Sequence, residues 1–345
     1  MERKLDNNKS KNNLKFLALI LIPIISFFFS ITLGRYSITV SDVFKILFAK
    51  LLGQATDYPK VLETVIFNVR IPRVIAAMII GSSLSISGSV YQGMFKNPMV
   101  SPDLLGTSAG AGFGAALGIL LSYSTLGIQG LSFVFGLLAV LLTYIISSKV
   151  GRNSNLIFVL ILSGMLVGTI FQSFISLTKY MADPYDKLPT ITFWLMGSLS
   201  SIDKKDVIML IPPFLIGTIP LFLVRWHINT LSFGEEEAKS MGIDTRKLRA
   251  LVIVCSTILT ASAVSVAGMV GWVGLIVPHL ARMIVGPNFK RLLPATALIG
   301  STYLLLVDNV ARTISHIEIP LGILTSLIGA PFFIYLLFKT GKGWN

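Results

Sequence analysis

Charged side chains are scarce in this chain. Only 13% of its 345 residues are Asp, Glu, Lys or Arg, whereas 53% are hydrophobic, and a soluble domain usually carries about 25% charged residues. The mean hydropathy is +0.78. Apolar runs of about 20 residues, the length that crosses a bilayer, recur along the sequence. This composition excludes an ordinary soluble domain and indicates a polytopic membrane protein.

Residue types that carry chemistry are also few. There is one cysteine, Cys255, and the three histidines, His227, His279 and His316, are far apart, so we predict neither disulfides nor a metal site. The sequence lacks the G-x-x-x-x-G-K-[ST] phosphate loop, H-E-x-x-H and G-x-S-x-G, which are patterns of nucleotide hydrolysis, zinc peptidases and serine hydrolases. We therefore expect no catalytic residues and predict that the chain is not itself an enzyme.

Ten apolar segments are candidates for membrane spans. They cover about 16–34, 70–94, 104–122, 128–148, 156–178, 207–224, 250–268, 270–286, 293–311 and 321–339. The piece at 190–200 is too short to cross, and we interpret it as an interfacial segment with Trp194 at headgroup level. The predicted fold is all-α: one compact transmembrane bundle over residues 16–345, after a cytoplasmic tail at 1–15. A signal peptide is the alternative for the N-terminus, but its apolar run is long for one and no A-x-A-like site follows.

Basic residues outnumber acidic ones, which gives a net charge of +13. If both termini lie inside, 18 of the 29 Lys and Arg residues fall in inner segments and 11 in outer ones. This bias is typical of a membrane protein with cytoplasmic termini. We attribute the positive charge to contact between the inner loops and anionic lipid, so it does not predict nucleic-acid binding.

A charged stretch, "LSFGEEEAKSMGIDTRKLRA" (231–250), interrupts two apolar runs. Residues from Glu235 onward predict a short helix with three acids in its first turn, where the helix dipole favours them. Gly242 is a natural stop, and Asp244 is a good N-cap for a second short helix. A solvated loop is the alternative interpretation. The capping signals and the regular apolar spacing favour a docking element for a cytoplasmic partner.

Small residues recur at helical spacing in the third apolar segment. Gly106, Gly110, Gly114 and Gly118 are each four residues apart, so they would lie on one helix face and let a second helix approach closely. We predict a helix-packing role for them.

Ionisable residues inside the predicted spans are rare, and Asp308 is the main exception. Arg312 follows four residues later, so the two side chains can pair on one helix face. A proton relay is the alternative, because intramembrane carboxylates often mark ion-coupled carriers. That reading describes a secondary transporter of another class, which would work alone and depend on Asp308.

The ordered set of motifs resembles the FecCD-type permeases, which are the membrane subunits of ABC importers for iron-siderophores, haem and cobalamin. The matching stretches are "RIPR", "SGSVYQGMFKNPMVSPDLLGTSAGAG", "LSFGEEEAKSMGI", "GMVGWVGLIVPHLAR", "LLLVDNVAR" and "IPLGILTSLIGAPFFIYLL". The resemblance covers about residues 65 to 340. It implies ten spans per subunit and a homodimer, or a pair with a close paralogue, in a bacterial cytoplasmic membrane.

The resemblance also implies partners and residue roles. Two ATPase subunits would dock inside and bind ATP and magnesium, this chain would hold no cofactor, and a substrate-binding protein would dock outside. Coupling to the ATPase is implied for helices at about 232–249, and within them for Gly234, Glu235, Glu236, Ala238, Met241, Gly242 and Asp244. Binding-protein docking is implied for Arg70, Arg73 and Arg312. A helix beside the transport path carries Ser163, Thr169, Gln172 and Ser173, and an inner-face motif consists of Pro278, His279 and Arg282.

The cargo is the least determined part of this reading. An iron-siderophore is the favoured expectation, because such importers are the commonest in the family that the motifs resemble. Haem and cobalamin remain open, since no residue of the permease discriminates among the three.

Overall fold

The computed structural model describes residues 2–34, 36, 38–53, 58–151 and 156–340. Within these ranges, the side chains of residues 2–14, 51, 156, 233, 235, 337, 339 and 340 are not described. The described residues form helices and connecting turns and contain no strand. The all-α prediction is therefore confirmed.

Fifteen α-helices, one π-helix and one 3-10 helix are described in this part of the chain. They are α1 Glu2–Thr32, α2 Val40–Leu51, α3 Lys60–Thr64, the π-helix Val65–Arg70, α4 Ile71–Met94, the 3-10 helix Pro102–Leu105, α5 Thr107–Leu120, α6 Thr125–Val150, α7 Leu156–Met181, α8 Lys187–Met196, α9 Lys204–Leu223, α10 Arg225–Phe233, α11 Glu235–Ser240, α12 Thr245–Ala267, α13 Val273–Val285, α14 Phe289–Thr313 and α15 Leu321–Thr340.

In the described part of the chain, seven helical segments are long and apolar enough to cross a membrane. They are α1, α4 together with α3 and the π-helix before it, α6, α7, α9, α12 and α14. Three shorter apolar helices, at Thr107–Leu120, Val273–Val285 and Leu321–Leu336, occupy the remaining predicted segments. Each of the ten apolar segments therefore corresponds to one helix, although three of them are short for a full crossing.

Helix α4 lies at the centre of the bundle. In the span that contains it, 83% of the most apolar stretch is buried, against 28% for α1 and α9 and 33% for α6 and α7. Glycines let two neighbours approach its backbone. A methyl group on Gly81 would lie 2.2 Å from the carbonyl oxygen of Gly300 in α14, and one on Gly88 would lie 1.8 Å from that of Gly274 in α13.

The end of α8, the end of α12 and the start of α15 meet in space, although they are far apart in the sequence. The Ser198 N–H donates to the Ala267 carbonyl at 2.8 Å, and the Leu321 N–H donates to the Gly197 carbonyl at 2.9 Å. Gly197 has φ +78°, which favours glycine. The stretch at 190–200 consists of the last seven residues of α8, in which Ile191 is fully buried, and the turn that follows them. Its position at the membrane interface stays a prediction.

The two ends of the bundle are told apart by their contacts. The Lys15 ammonium donates to the Ile284 carbonyl at 3.2 Å, near the end of α13, whereas the far end of α1 lies beside Arg70, at the start of α4. We call the end that carries α10 and α11 the inner end, following the distribution of basic residues, and the opposite end the outer end.

Candidate functional site

The charged stretch at the inner end forms two short helices and leads into a long one. Gly234 alone separates α10 from α11, and α12 begins at Thr245. The prediction of a second short helix after Asp244 is wrong, because α12 runs for 23 residues to Ala267. No glycine or proline interrupts the sequence between Asp244 and Gly268, so the helix that Asp244 caps continues through the bundle. We call residues 225–244 the inner segment.

A glycine turn ends α11. The Gly242 N–H donates to the Lys239 carbonyl at 2.9 Å, and the Ile243 N–H donates to the Ala238 carbonyl at 3.1 Å. These two bonds make a Schellman motif, which requires a left-handed residue after the helix. Gly242 supplies it with φ +78°. The direction in which the chain leaves α11 is thereby fixed.

The inner segment is anchored to the membrane helices by one buried face. Ala238 has no exposed surface, and it shares an apolar cluster with Ile228, Leu231 and Leu248. Asn229 adds a polar tie, since its side-chain oxygen accepts from the Phe289 N–H, where α14 begins, at 2.8 Å. A force on the inner segment would therefore reach α12 and α14 directly.

The opposite face of the inner segment is open. The side chain of Met241 is 57% exposed, and Glu236 and Glu237 are exposed as well. The side chain of Glu235 lies outside the described part of the structure. The predicted coupling residues thus divide into an anchor, Ala238, and an exposed apolar and acidic surface.

Asp244 joins the inner segment to α12. Its carboxylate accepts from the Lys247 N–H at 3.1 Å, which is the N-cap geometry that the sequence predicts. That backbone hydrogen bond is the main cause that lowers the pKa of Asp244, with a further contribution from the Lys247 side chain. The ammonium of Lys247 lies 3.4 Å from the carboxylate, and both groups are exposed.

A cavity of about 800 Å³ opens beside the inner segment. The described residues that line it include three cations, Lys96, Arg282 and Lys290, and no carboxylate. The Arg282 guanidinium donates to the side-chain oxygen of Gln92 at 2.5 Å. Arg282, from the predicted inner-face motif, is therefore held by α4 at the wall of this cavity.

The other two residues of the inner-face motif do not line this cavity. Pro278 is buried within α13. The ring of His279 meets the ring of Phe332 in α15 edge-on, with centroids 6.4 Å apart. The structure thus brings Arg282 alone of the three to the cavity wall.

A polar cluster of five side chains closes the outer end, and we call it the outer cluster: Arg70, Arg73, Asp308, Arg312 and Glu318. Arg73 donates to Asp308 at 2.8 Å and to Glu318 at 2.8 Å. Asp308 has no exposed surface, while Arg73 is 7% exposed. Arg312 approaches Asp308 at 3.7 Å, so the predicted pair forms, but the shorter contact is the one to Arg73.

The remaining cations of the outer cluster bind backbone carbonyls at the end of α1. Arg70 donates to Ile31 at 2.6 Å and Thr32 at 3.0 Å, and also to the Tyr36 carbonyl. Arg312 donates to Ser30 at 2.6 Å and Leu33 at 2.9 Å. These guanidinium groups satisfy carbonyls that the end of a helix leaves free. All three predicted docking arginines are therefore buried and bonded within the chain, and docking itself stays a prediction.

Helix α7 presents a polar stripe on an exposed face. Thr169, Gln172 and Ser173 are exposed, whereas Ser163 is 4% exposed and faces the bundle. The hydroxyls of Thr169 and Ser173 bond to carbonyls one turn earlier, at 2.9 and 3.0 Å. The structure thus groups three of the four predicted path residues on one surface.

The glycines of the third segment lie against two different helices. Methyl groups on Gly110 and Gly114 would lie 2.4 and 2.3 Å from carbonyl oxygens of α6, and one on Gly118 would lie 3.1 Å from the Ile128 Cα. Gly106 precedes α5 with φ +85° and lies instead beside Gly164 and Gly168 of α7. Three of the glycines therefore share the predicted face, and the fourth makes the turn before it.

Three polar residues at these surfaces escaped the sequence reasoning. Glu318 lies in a short outer loop that matches no motif. Gln92 and Asn229 are uncharged, and their hydrogen-bond partners are far away in the sequence. An acid just beyond a span end was the one signal available for Glu318. Among the described residues, no group of three His, Cys, Asp or Glu is placed to hold a metal ion.

The fold and these surfaces define a class of protein. A multi-pass helical bundle with an inner segment anchored to its membrane helices is an architecture typical of a membrane transport subunit. Comparison with known proteins makes the class specific. The sequence profile of the FecCD transport family matches residues 20–339, so the chain belongs to this family.

Relatives with known or inferred cargo are similar over most of the chain. The molybdate import system permease protein MolB of Haemophilus influenzae is 42% identical, over 94% of this chain and 95% of its own length. A probable iron chelatin transport system permease protein of Helicobacter pylori is 43% identical, over 81% of this chain and 84% of its own length.

A solved structure supports the same assignment. An inward-facing conformation of a putative metal-chelate type ABC transporter has a TM-score of 0.85 and 40% identity, and the match covers 95% of this chain and 99% of that one. The chain is thus a permease subunit of an ABC transporter. Such a subunit works with ATPase subunits, a substrate-binding protein and a second permease chain.

Proposed function

We propose that this chain is the permease of an ABC importer for a metal chelate, with an iron-siderophore as its cargo. The observation that carries the importer reading is the inner segment, which is anchored through Ala238 and exposed around Met241. Two ATPase subunits would bind it, and ATP and magnesium would be held by them. The family match supports the permease role, and a similar iron chelatin permease supports the cargo.

The inner segment is proposed as the handle that the ATPase moves. Its exposed acids and Met241 form the contact surface, and its buried face transmits the displacement to α12 and α14. A packed core transmits such shifts because it deforms little. A pull-down of tagged protein in mild detergent, with native mass measurement, tests this. We expect an ATPase at equal stoichiometry, and we expect it to be lost when 234–244 is replaced by a Gly-Ser linker.

The matched control replaces the exposed outer loop Asp183–Asp186 by the same kind of linker, which should leave the ATPase bound. Reversing Glu235 and Glu236 to lysine is a finer version, and it should uncouple ATP hydrolysis from uptake. An ATPase that stays bound without 234–244, or a complex that contains no ATPase at all, would overturn the docking proposal.

Molybdate is a second candidate cargo, because the molybdate permease matches almost the whole length of this chain. Haem and cobalamin are further alternatives. Uptake of radioactive iron chelate and radioactive molybdate, measured in parallel by cells that depend on this system, separates the first two. Uptake of molybdate without iron chelate would exclude the iron proposal and leave the importer role intact.

At the outer end, we propose that a substrate-binding protein docks above the outer cluster. The exposed edge of this cluster is Glu318, which is 28% exposed, while the arginines lie beneath it. Both termini would then be cytoplasmic.

A carrier that uses Asp308 as a proton relay is not favoured, because Arg73 and Arg312 already balance the charge of this carboxylate. Transport by the chain without an ATPase, abolished by Asp308→Asn, would restore it.

A further inference from the structure

Helix α2 lies at the outer end and is not among the predicted spans. It runs over Val40–Leu51, and its 12 residues are too few to cross a bilayer. Its start is well fixed, because the Thr39 hydroxyl accepts from the Asp42 N–H at 3.2 Å and the Tyr58 hydroxyl donates to Asp42 at 2.9 Å. The helix is therefore an ordered element that needs a role other than spanning.

One face of α2 belongs to the core. Val43 is 1% exposed and Ile46 has no exposed surface, and both pack in the cluster that contains Ile31 of α1 and Ile66. These contacts set the rotation of the helix about its axis. The residues on the other side are consequently left largely exposed.

That other side carries an apolar stripe, Val40, Phe44, Phe48 and Leu52, which we call the α2 stripe. Their exposed fractions are 56, 39, 61 and 63%. A spacing of four places them one above another along the helix. Two aromatic rings and two aliphatic side chains therefore form one continuous exposed strip.

The α2 stripe continues the membrane-facing surface of α1. The rings of Phe44 and Phe28 stack with centroids 5.1 Å apart and planes 24° from parallel. On α1, the neighbouring Ile25 and Phe29 are 63 and 53% exposed, and they lie in one of the apolar spans. The stripe thus begins where the lipid-facing surface of α1 ends.

A polar sector borders the stripe. At about 100° per residue, Val40, Phe44 and Phe48 fall within about 80° of arc, and Ser41 and Lys45 follow directly beyond it. Both are exposed. A helix that is apolar on one exposed side and cationic on the next is typical of one that lies in the interface plane of a membrane.

We propose that α2 is an interfacial helix, whose stripe is immersed in the outer lipid leaflet and whose Lys45 lies at the level of the lipid phosphates. Its partner is the bilayer itself. The continuity with α1 carries this assignment. The inference depends on the multi-pass membrane fold and not on the cargo or on ATPase docking.

Spin labels at single cysteines test the proposal, because Cys255 is the one native cysteine and Cys255→Ser gives a clean parent. Phe48→Cys and Leu52→Cys report on the stripe, and Lys45→Cys reports on the polar sector. Ile25→Cys is the lipid reference, and Tyr185→Cys is the water reference, since Tyr185 is 94% exposed in the loop before α8. The full chain is reconstituted in vesicles of phosphatidylethanolamine and phosphatidylglycerol.

Electron paramagnetic resonance then measures, at each spin label, the collision rate with oxygen, which concentrates in lipid, and with a nickel complex, which stays in water. We expect Phe48→Cys and Leu52→Cys to lose nickel access severalfold relative to Tyr185→Cys and to keep oxygen access like Ile25→Cys, with Lys45→Cys in between. Nickel access equal to that of Tyr185→Cys would overturn the proposal. So would shielding from both reagents, which would mean that a second copy or another protein covers the stripe. Both stripe labels replace exposed side chains. If one of the two variants fails to fold, the other still tests the proposal.

Discussion

At the scale of single residues, Asp308 is the costliest polar group to disturb. It has no exposed surface and lies 2.8 Å from Arg73 and 3.7 Å from Arg312. Removing one partner of a buried ion pair leaves a charge without compensation, which costs roughly 3 kcal/mol or more. We therefore interpret the outer cluster as a clasp that joins α1, α4 and α14.

Asp308→Asn should lower stability by about 3 kcal/mol, because Arg312 and part of the Arg73 charge then face a neutral amide. Thermal unfolding of the detergent-solubilised protein measures the change. The matched control is Asp244→Asn, the same substitution at an exposed pair, which should leave the midpoint almost unchanged. Equal midpoints for both variants would contradict the clasp.

Glycine contacts give a second prediction at this scale. A methyl group on Gly88 would lie 1.8 Å from the Gly274 carbonyl oxygen, which is backbone and cannot swing away. Gly88→Ala should therefore separate α4 from α13, at a cost of about 3 kcal/mol or more for overpacking. Gly130→Ala in α6 is the control, since nothing lies within 4 Å of its added methyl group. It should be neutral, or stabilising by about 1 kcal/mol through helix propensity, in the same unfolding assay.

At the scale of elements, the sequence predicts long apolar helices well and short ones poorly. The ten apolar segments are each a helix, because an 18-residue apolar run has few alternatives in a membrane. α2 and α8 were not predicted as helices, since 10 to 12 residues carry too little periodic signal. The sequence predicts the caps and the glycine stop of the inner segment. It was not predicted that the helix capped by Asp244 runs without interruption into the span at 250–268, although no glycine or proline separates them.

The cap of α12 gives a pH prediction. The hydrogen bond from the Lys247 N–H lowers the pKa of Asp244 in the folded protein, so the folded state favours the carboxylate. The stabilisation is complete above the unfolded pKa of about 3.9, and it is lost as the pH falls through the lowered folded value. Hydrogen exchange of the peptide that contains Lys247 should therefore be constant from pH 5 upward and accelerate, after correction for intrinsic rates, below pH 4.

The control for this experiment is Asp244→Asn. An asparagine oxygen can still cap the helix but does not titrate, so the corrected exchange of the variant should stay flat over the same pH range. A parallel acceleration in the variant would mean that another group opens this end of α12.

At the scale of the whole molecule, the surfaces depend on residues that the sequence separates widely. Arg73 and Asp308 are 235 residues apart, and Gln92 and Arg282 are 190 apart. Arg312 could be predicted as a partner of Asp308, because two residues at i and i+4 on a helix can be identified from the sequence alone. The distant partner, Arg73, depends on the packing of α4 against α14, and the burial of Arg70 and Arg312 depends on the end of α1 as well. The length of the apolar runs therefore predicts the spans, whereas the outer cluster and the cavity wall can be identified only once the helices are packed together.

The polar stripe of α7 is the surface that assembly has to cover or hydrate. Thr169, Gln172 and Ser173 are exposed on a helix long and apolar enough to span the membrane, and an exposed amide is costly against hydrocarbon. In the transporter, with a second permease chain present, we expect this stripe to line water. In a Cys255→Ser parent, Gln172→Cys and Thr169→Cys should then react with a membrane-impermeant maleimide.

The controls for this labelling lie on the same helix. Ile170→Cys, at a side chain that is 53% exposed, should react slowly because it faces lipid, and Ser163→Cys should react slowly because that position is buried. Labelling is compared in the complete transporter and in the isolated permease. Faster reaction at Gln172→Cys than at Ile170→Cys in the assembled state supports a hydrated path along α7. Equal protection of both would mean that the stripe is packed against protein, and the path would then have to follow another helix.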